Sequence, residues 1–341
     1  MNMSMLRSRK LWLGAVGTVL FLGLFFARTD FGDLGHALAH ANYWWVIPGI
    51  AIWFLAAWFR AIRWRVLLAH LADLSTRSLY PIVIIGYMAN NLLPARTGEL
   101  VRAYVLGERH PVSKMATLGT ITVERLLDGF VLVIMLASVG AFVGLDSSLR
   151  ILVIVTAVVI SLGLIVLLWA TSQKHRADRL VNLLLRVVPG KFQASARELA
   201  DAFLEGMRSL QSPTAMASVL AATVIAWLLE ATMYYFVGLS FDLGEPFTTY
   251  LLVTGAANLA ITVPSTSGGV GPFELATRET LTSLGVASGT ASAYAIALHG
   301  FLLLPVIAAG LICLWAINLS LVRVAKAPAS VGGPAALKAA E

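Results

Sequence analysis

The hydrophobic positions of this chain fall into eight long apolar runs separated by polar or charged segments. The runs span residues 11–27, 43–59, 79–93, 126–144, 150–170, 214–240, 247–263 and 290–318. A membrane-spanning helix needs about 20 apolar residues, because each residue advances about 1.5 Å through a hydrocarbon core about 30 Å thick. Most runs are long enough to cross with modest tilt or with help from flanking residues. The pattern therefore predicts an all-α fold, a polytopic helical bundle in a membrane.

Two of the runs are short, and each ends at a proline. The run at 79–93 precedes Pro94, and the run at 247–263 ends around Pro264. Proline removes a backbone donor and clashes with the preceding helical turn, so a helix usually ends near such a position. We therefore predict that both runs are re-entrant, entering the membrane and turning back at the break.

The distribution of Lys and Arg supports this topology, since basic residues in short loops favour the cytoplasmic side. If both short runs are re-entrant, three basic residues lie outside, namely Arg28, Arg150 and Arg278. The predicted inside segments are 1–10, 60–78, 96–116, 171–213 and 319–341, which hold 3, 4, 4, 7 and 3 Lys and Arg. Both termini are then cytoplasmic.

The same topology predicts five segments along the chain. They are an N-terminal anchor helix at 1–27, a first membrane repeat at 28–170, a connector at 171–213, a second membrane repeat at 214–318 and a disordered cytoplasmic tail at 319–341. The anchor is expected to be an uncleaved helix, because the small-residue cleavage pattern of a signal peptide is weak. Apolar residues at helical spacing predict two amphipathic helices in the connector, lying on the inner membrane surface. A regulatory or partner-binding surface is the alternative there.

The two breaks resemble each other. NNLLPARTGE at 90–99 and NLAITVPSTSGGVGPFE at 258–274 each have asparagine before proline, then glycine, then glutamate. Under the predicted topology they enter from opposite faces, which is typical of inverted repeats in transporters whose interrupted helices meet at the substrate site. The predicted helix-breaking residues are Pro94, Gly98, Pro264, Gly268, Gly271 and Pro272.

Broken backbone at membrane depth is tolerated only where it is buried in protein or lines a wet cavity. Thr97 is expected to cap one new helix, and Gly271 followed by Pro272 to begin the other. Helix starts suit a phosphate or carboxylate. The predicted substrate-binding residues are Asn91, Arg96, Glu99, Arg102, Arg125, Gly269 and Glu274. Alternatively, Glu99 and Glu274 only satisfy helix N-termini, and Arg102 pairs with Glu99.

Further ionisable residues fall inside apolar runs, where an unpaired charge is expensive. The candidates for charge compensation or a response to protons are Glu124, Asp128, Glu230 and His299. The alternatives are an interfacial cluster at the inner end of a helix for Glu124, Arg125 and Asp128, a structural hydrogen bond between helices for Glu230, and a satisfied core histidine for His299. Three further arginines, Arg60, Arg63 and Arg65, are predicted to extend to the inner headgroups.

Composition narrows the functional classes. The chain is 58% apolar and 13% charged, with a mean hydropathy of +0.82, which is far more apolar than one soluble core needs. The net charge of +7 is expected to face anionic lipid headgroups rather than nucleic acid. A single cysteine, Cys313, excludes an intrachain disulfide and a cysteine metal site. No metal or cofactor is predicted.

In combination, NNLLPARTGELVR, TVERLLD and VPSTSGGVGPFE resemble the lysylphosphatidylglycerol synthase transmembrane-region family, also called flippase-like, over about residues 40–318. The resemblance implies a membrane region that moves an aminoacylated phospholipid between leaflets. In two-part members a separate C-terminal soluble domain transfers the amino acid from charged tRNA. Aminoacyl transfer is not expected here, because the chain stops after the last helix. His299 stands where the family often has arginine.

The leading hypothesis is a lipid flippase-like transporter, not an enzyme, that moves a phospholipid or a lipid-linked anionic headgroup in a bacterial inner membrane. Its partner is the lipid substrate, and the oligomeric state is left open. GGVGPFE lacks the lysine and spacing of a phosphate-binding ATPase loop, so passive or ion-gradient-driven movement is expected. The alternatives are an integral membrane transferase acting on lipid-linked sugar substrates and an inverted-repeat transporter of a soluble solute.

Overall fold

The protein is an all-α integral membrane bundle. The computed structural model describes residues 9–93, 97–143, 151, 154–155, 158–159, 161–163, 174–185, 190–207, 212–262, 267–321 and 323–325, and no strand occurs among them. Within the described ranges, three helical segments are long and apolar enough to cross a membrane: Tyr43–Leu68, Pro213–Ser240 and Ser288–Ala316.

The first part of the chain forms two helices that precede a four-helix unit. In order these are α1 (Arg9–Ala27), α2 (Phe31–His40), α3 (Val46–Leu68), α4 (Thr76–Leu92), α5 (Gly98–Arg109) and α6 (Lys114–Val143). Asp30 caps α2 by accepting the N–H groups of Gly32 and Asp33, and Ser75 caps α4 by accepting that of Ser78. The predicted run at 126–144 is thus the second half of a longer helix.

The second part of the chain contains a connector and another four-helix unit. In order these are α7 (Lys174–Leu185), α8 (Gln193–Gly206), α9 (Pro213–Ser240), α10 (Phe247–Ala260), α11 (Pro272–Ser283) and α12 (Ser288–Ala316). Two helices, α7 and α8, lie in the predicted connector, and α8 packs against α6. The contact is close because both helices present glycine, Gly119 on α6 and Gly206 on α8. The position of α7 and α8 on the inner membrane surface stays a prediction.

The two four-helix units share one order of elements: a long helix, two short helices and a second long helix. α3 packs against α9, α4 against α12, and α10 against α6, so each unit's first short helix lies on the other unit's last helix. A duplicated unit would give this arrangement. The opposite orientation of the two units in a membrane stays a prediction, as do re-entrant entry and the five-segment division.

The first break lies between α4 and α5. Leu93 is extended, and the predicted Pro94 and Arg96 lie outside the described residues. α5 turns back against α4 so tightly that a Cβ at Gly98 would lie 2.1 Å from the carbonyl oxygen of Gly86. Thr97 occupies the predicted N-cap position of α5, but its side chain does not make the capping bond. Asn90, in the last turns of α4, supplies a capping bond instead, because its Oδ1 accepts the Gly98 N–H at 2.7 Å.

The second break lies between α10 and α11, with a 3-10 turn at Ser267–Gly269; Pro264 lies outside the described residues. Gly268 and Gly271 have φ of +76° and +100°, a region that favours glycine. As predicted, α11 begins at Pro272 directly after Gly271, and Glu274 Oε2 accepts the Gly271 N–H at 2.7 Å. Oε2 of Glu274 therefore satisfies the N-terminus of α11, as the alternative to substrate binding predicts.

Candidate functional site

A cavity of about 120 Å³ lies where the two breaks face the long helices. Arg60 lies on α3 eight residues before its end at Leu68, which corresponds to roughly 12 Å along the axis. Glu230 lies on α9 ten residues before its end at Ser240, roughly 15 Å. The cavity is therefore well inside a bundle that spans about 30 Å. Its polar walls are Arg60, Asn90, Asn91, Arg125, Asp128, Glu230, Asn258 and His299.

Beside the cavity, one carboxylate binds three arginines. Glu124 on α6 is fully buried and accepts from Arg63 at 2.6 Å, from both terminal nitrogens of Arg102 at 3.0 Å, and from Arg125 at 3.0 Å. A buried carboxylate is tolerated when paired and hydrogen-bonded in this way. Glu124 therefore belongs to a buried network that joins α3, α5 and α6, rather than to a hydrated interfacial cluster.

Asp128, one helical turn further along α6, extends this network to α9. It pairs with Arg63 and, at 3.0 Å, with Arg125. Trp227 on α9 donates its Nε1–H to Asp128 at 3.1 Å, and Arg63 donates to Thr223 on the same helix at 3.1 Å. Three long helices are thus joined through one set of charged side chains.

The prediction that Arg60 and Arg63 extend to the headgroups is wrong, whereas Arg65 is exposed as expected. Arg60 is 2% exposed and pairs with Glu230, and Arg63 is fully buried. Their three-residue spacing places both on one face of α3. The sequence did contain an indication that these arginines are buried, because each acidic residue inside an apolar run needs a cationic partner.

Arg102 and Glu99 do not pair with each other, so that alternative is wrong. Both terminal nitrogens of Arg102 donate to Glu124, and its guanidinium lies 4.1 Å from the Trp64 ring centre. Glu99 accepts from Asn90 at 3.3 Å. Glu99, Arg102 and Arg125 line a small pocket next to the main cavity. Substrate contact by Glu99 and Arg102 stays a prediction.

His299 joins α12 to the second break. Its Nδ1 lies 2.6 Å from Glu274 Oε1, and its Nε2 lies 3.0 Å from the carbonyl oxygen of Gly268. A carbonyl oxygen can only accept, so a hydrogen bond from Nε2 to Gly268 requires the tautomer with its proton on Nε2. The Phe273 ring stacks on the imidazole at 4.4 Å. A proton-responsive role for this pair stays a prediction.

The main cavity brings together many of the predicted residues, namely Asn91, Arg125, Asp128, Glu230, Gly268 and His299. Gly269 is the buried neighbour of Gly268 at the same break. Sequence reasoning missed Arg60 and the aromatic walls Trp53, Tyr87 and Trp227, since aromatic residues in apolar runs usually indicate packing. Among the described residues no group of three His, Cys, Asp or Glu is placed to hold a metal ion.

Comparisons with known proteins agree with a membrane protein. The family model described as Lysylphosphatidylglycerol synthase TM region matches residues 11–310. A UPF0104 membrane protein of Methanothermobacter thermautotrophicus is 24% identical over 71% of this chain and 76% of its own length. A UPF0104 membrane protein of Methanocaldococcus jannaschii is 24% identical over 55% of this chain and 76% of its own length.

One further relative is named as an enzyme. The protein named Glycosyltransferase AglD of Haloferax volcanii is 24% identical over 93% of this chain. The matched region covers 56% of the length of AglD. No solved structure gives a significant match. Because the relatives include archaeal proteins, location in a bacterial inner membrane stays a prediction.

Proposed function

Because the chain belongs to the lysylphosphatidylglycerol synthase TM region family, we propose that it is a lipid transporter that moves an anionic phospholipid or lipid-linked headgroup between leaflets. One observation carries this proposal: charged and amide side chains line a cavity at mid-depth in an otherwise apolar bundle. Ionisable groups at such a depth are costly and usually mark a substrate or ion pathway.

The chemistry of the cavity fits a headgroup that leaves water while its acyl chains stay in lipid. Arg125 keeps 37% of its side chain exposed and so offers positive charge to an arriving phosphate. Asn91 offers an amide group to phosphate or hydroxyl oxygens. These contacts offset part of the desolvation cost that blocks a charged headgroup in bare hydrocarbon.

Translocation in proteoliposomes tests the proposal. Fluorescent phosphatidylglycerol is placed in both leaflets, and an external reductant bleaches only the accessible one. The protein should raise the rate at which protected lipid becomes accessible, and Arg125→Gln should lower that rate about tenfold or more. Arg197→Gln is the matched control, since Arg197 lies in the connector and pairs with Asp178. A wild-type rate equal to that of protein-free vesicles overturns the proposal.

A transferase acting on lipid-linked sugars is the second candidate, favoured by the name of the relative AglD. Incubation with lipid-linked acceptor and nucleotide sugar distinguishes the two. A lipid product of increased mass supports the transferase, whereas a lipid of unchanged mass that has changed leaflet supports the transporter.

A further inference from the structure

Arg60 is an incompletely satisfied cation in the wall of the cavity. Its Nη2 donates to Glu230 Oε2, while its Nη1 is buried without any hydrogen-bond partner. The guanidinium lies between two aromatic rings, 5.6 Å from the centre of Tyr87 and 5.1 Å from that of Trp227. These rings hold the guanidinium in place through cation–π contacts and leave one arm of its fork unused.

Arg63, one turn away on the same helix, differs from Arg60 in which nitrogen lacks a partner, because in Arg63 it is Nε and not a terminal nitrogen. Both terminal nitrogens of Arg63 donate to carboxylates, and one also donates to Thr223. Arg63 also does not line the cavity, whereas Arg60 does. A buried donor without a partner costs free energy, so an acceptor entering the cavity beside Arg60 would relieve that cost.

The geometry matches a tetrahedral oxyanion. A guanidinium binds phosphate best through two parallel N–H groups, and here Glu230 occupies one of them. Glu230 has a second ligand that holds it after separation from Arg60, because Asn258 donates to its Oε1 at 3.3 Å. Asn258 also contacts Tyr234 Oη at 3.1 Å, which fixes the amide in place.

We propose that Arg60 binds the phosphate of the transported headgroup and that Glu230 is an internal anion that occupies part of this site until the substrate displaces it. The assignment rests on the proposed function and specifies its substrate-binding contact. Displacement leaves Glu230 on Asn258, close to the bound phosphate, and repulsion between the two anions limits affinity. Glu230 thus prevents the headgroup from being trapped at mid-membrane.

Substitutions of Arg60 and of Glu230 should therefore change the Kd for the lipid in opposite directions. Calorimetry in detergent with dihexanoyl phosphatidylglycerol measures binding, and dihexanoylglycerol serves as the phosphate-free control. Glu230→Gln should lower the Kd about tenfold, since Gln cannot compete as an anion, whereas Arg60→Gln should raise it about tenfold. Arg60→Lys keeps the charge without the fork and should raise the Kd by a smaller factor.

Translocation gives a second readout that a purely structural ion pair would not reproduce. Glu230→Gln should lower the apparent KM and also the maximal rate, because release becomes slow. Arg60→Gln should raise the KM. If Arg60→Gln does not fold, Arg60→Lys, which keeps the charge, and Glu230→Gln, which keeps the size, still give the opposite signs. Arg197→Gln should leave the Kd and KM unchanged.

The outcomes separate this inference from the proposed function. Weaker phosphatidylglycerol binding in both Arg60→Gln and Glu230→Gln overturns the internal-anion assignment while leaving lipid transport intact. Equal wild-type affinity for phosphatidylglycerol and dihexanoylglycerol overturns phosphate recognition, and with it the role of Arg60. Titration with inorganic phosphate identifies the source: tight binding that follows the same variant pattern makes free phosphate the ligand and overturns a headgroup site.

Discussion

Arg63 and Glu124 form an ion pair, with Nη2 and Oε1 2.6 Å apart, in which neither side chain reaches solvent. The pair joins α3 to α6, and two more arginines share the same carboxylate. Attraction between buried charges offsets their desolvation only when the geometry is good and the remaining groups are bonded. The main effect of the pair on stability is therefore expected when it is broken, because one buried charge then loses its partner.

Glu124→Gln should destabilise the fold strongly, because it leaves three guanidiniums with one buried anion fewer. Removal of one partner of a buried ion pair costs about 3–5 kcal/mol. Denaturant unfolding in detergent measures the change. Glu108→Gln is the control, since Glu108 pairs with Lys114 at the surface and its loss should cost about 1 kcal/mol or less. Equal losses in the two variants would contradict the structural role of the network.

Gly98→Ala should destabilise the first hairpin, because its Cβ would meet the Gly86 carbonyl at 2.1 Å. Backbone cannot yield as a flexible side chain does, so we expect a loss of about 1–3 kcal/mol. Thermal unfolding measures it. Gly300→Ala in α12 is the matched control: nothing lies within 4 Å of its Cβ, and alanine favours a helix by up to about 1 kcal/mol. The idea fails if both variants are stabilised.

Cysteine labelling tests the inverted orientation of the two breaks. In a Cys313→Ser background, Thr97→Cys and Ser267→Cys should react with a membrane-impermeant maleimide from opposite sides, because the predicted topology places their hairpins on opposite faces. Arg65 is exposed, so Arg65→Cys serves as the reference for labelling from the predicted inner side. Reaction of both break positions from one side would rule out the inverted repeat.

Glu274→Leu should weaken the second break more than Glu274→Gln does. Leucine removes both the acceptor for the Gly271 N–H and the contact with His299, whereas glutamine retains an oxygen for the cap. Loss of an N-cap bond costs about 0.5–2 kcal/mol. Thermal unfolding separates the variants, and Glu198→Leu, at an exposed position of α8, is the control. Similar stability of the two Glu274 variants would show that the oxygen contributes nothing.

Local pattern was enough to predict most of the long helices and the two breaks, between α4 and α5 and between α10 and α11, whereas α2 and the first part of α6 were not predicted. The second hairpin even begins as predicted, because Gly271, Pro272 and Glu274 act within a few residues of one another. Thr97 shows the limit of this reasoning. Its residue type favours a cap, but Asn90, from the preceding helix, supplies the bond once the hairpin closes.

Partnerships between distant helices were beyond prediction from one sequence. Arg60 and Glu230 are 170 residues apart, and nothing near Arg60 indicates that α9 faces it. Snorkelling was the default prediction for an arginine near a helix end, and packing overrode it. The contacts that we propose for function therefore form only when distant helices pack together.

The N-terminal helix α1 packs against α11, where Thr18 donates to the carbonyl oxygen of Val270 and Phe21 lies against Gly271. In the described part of the chain, α5 packs mainly on its own neighbours α4 and α6. Among the described residues, α1 therefore packs on the second hairpin, whereas the outside contacts of the first hairpin are of another kind: α4 packs on α12, and Arg109 donates to the carbonyl oxygen of Ile317 at 2.8 Å. We expect slower backbone hydrogen exchange at 268–274 in the protein than in a chain shortened by α1, because α1 packs over the second break.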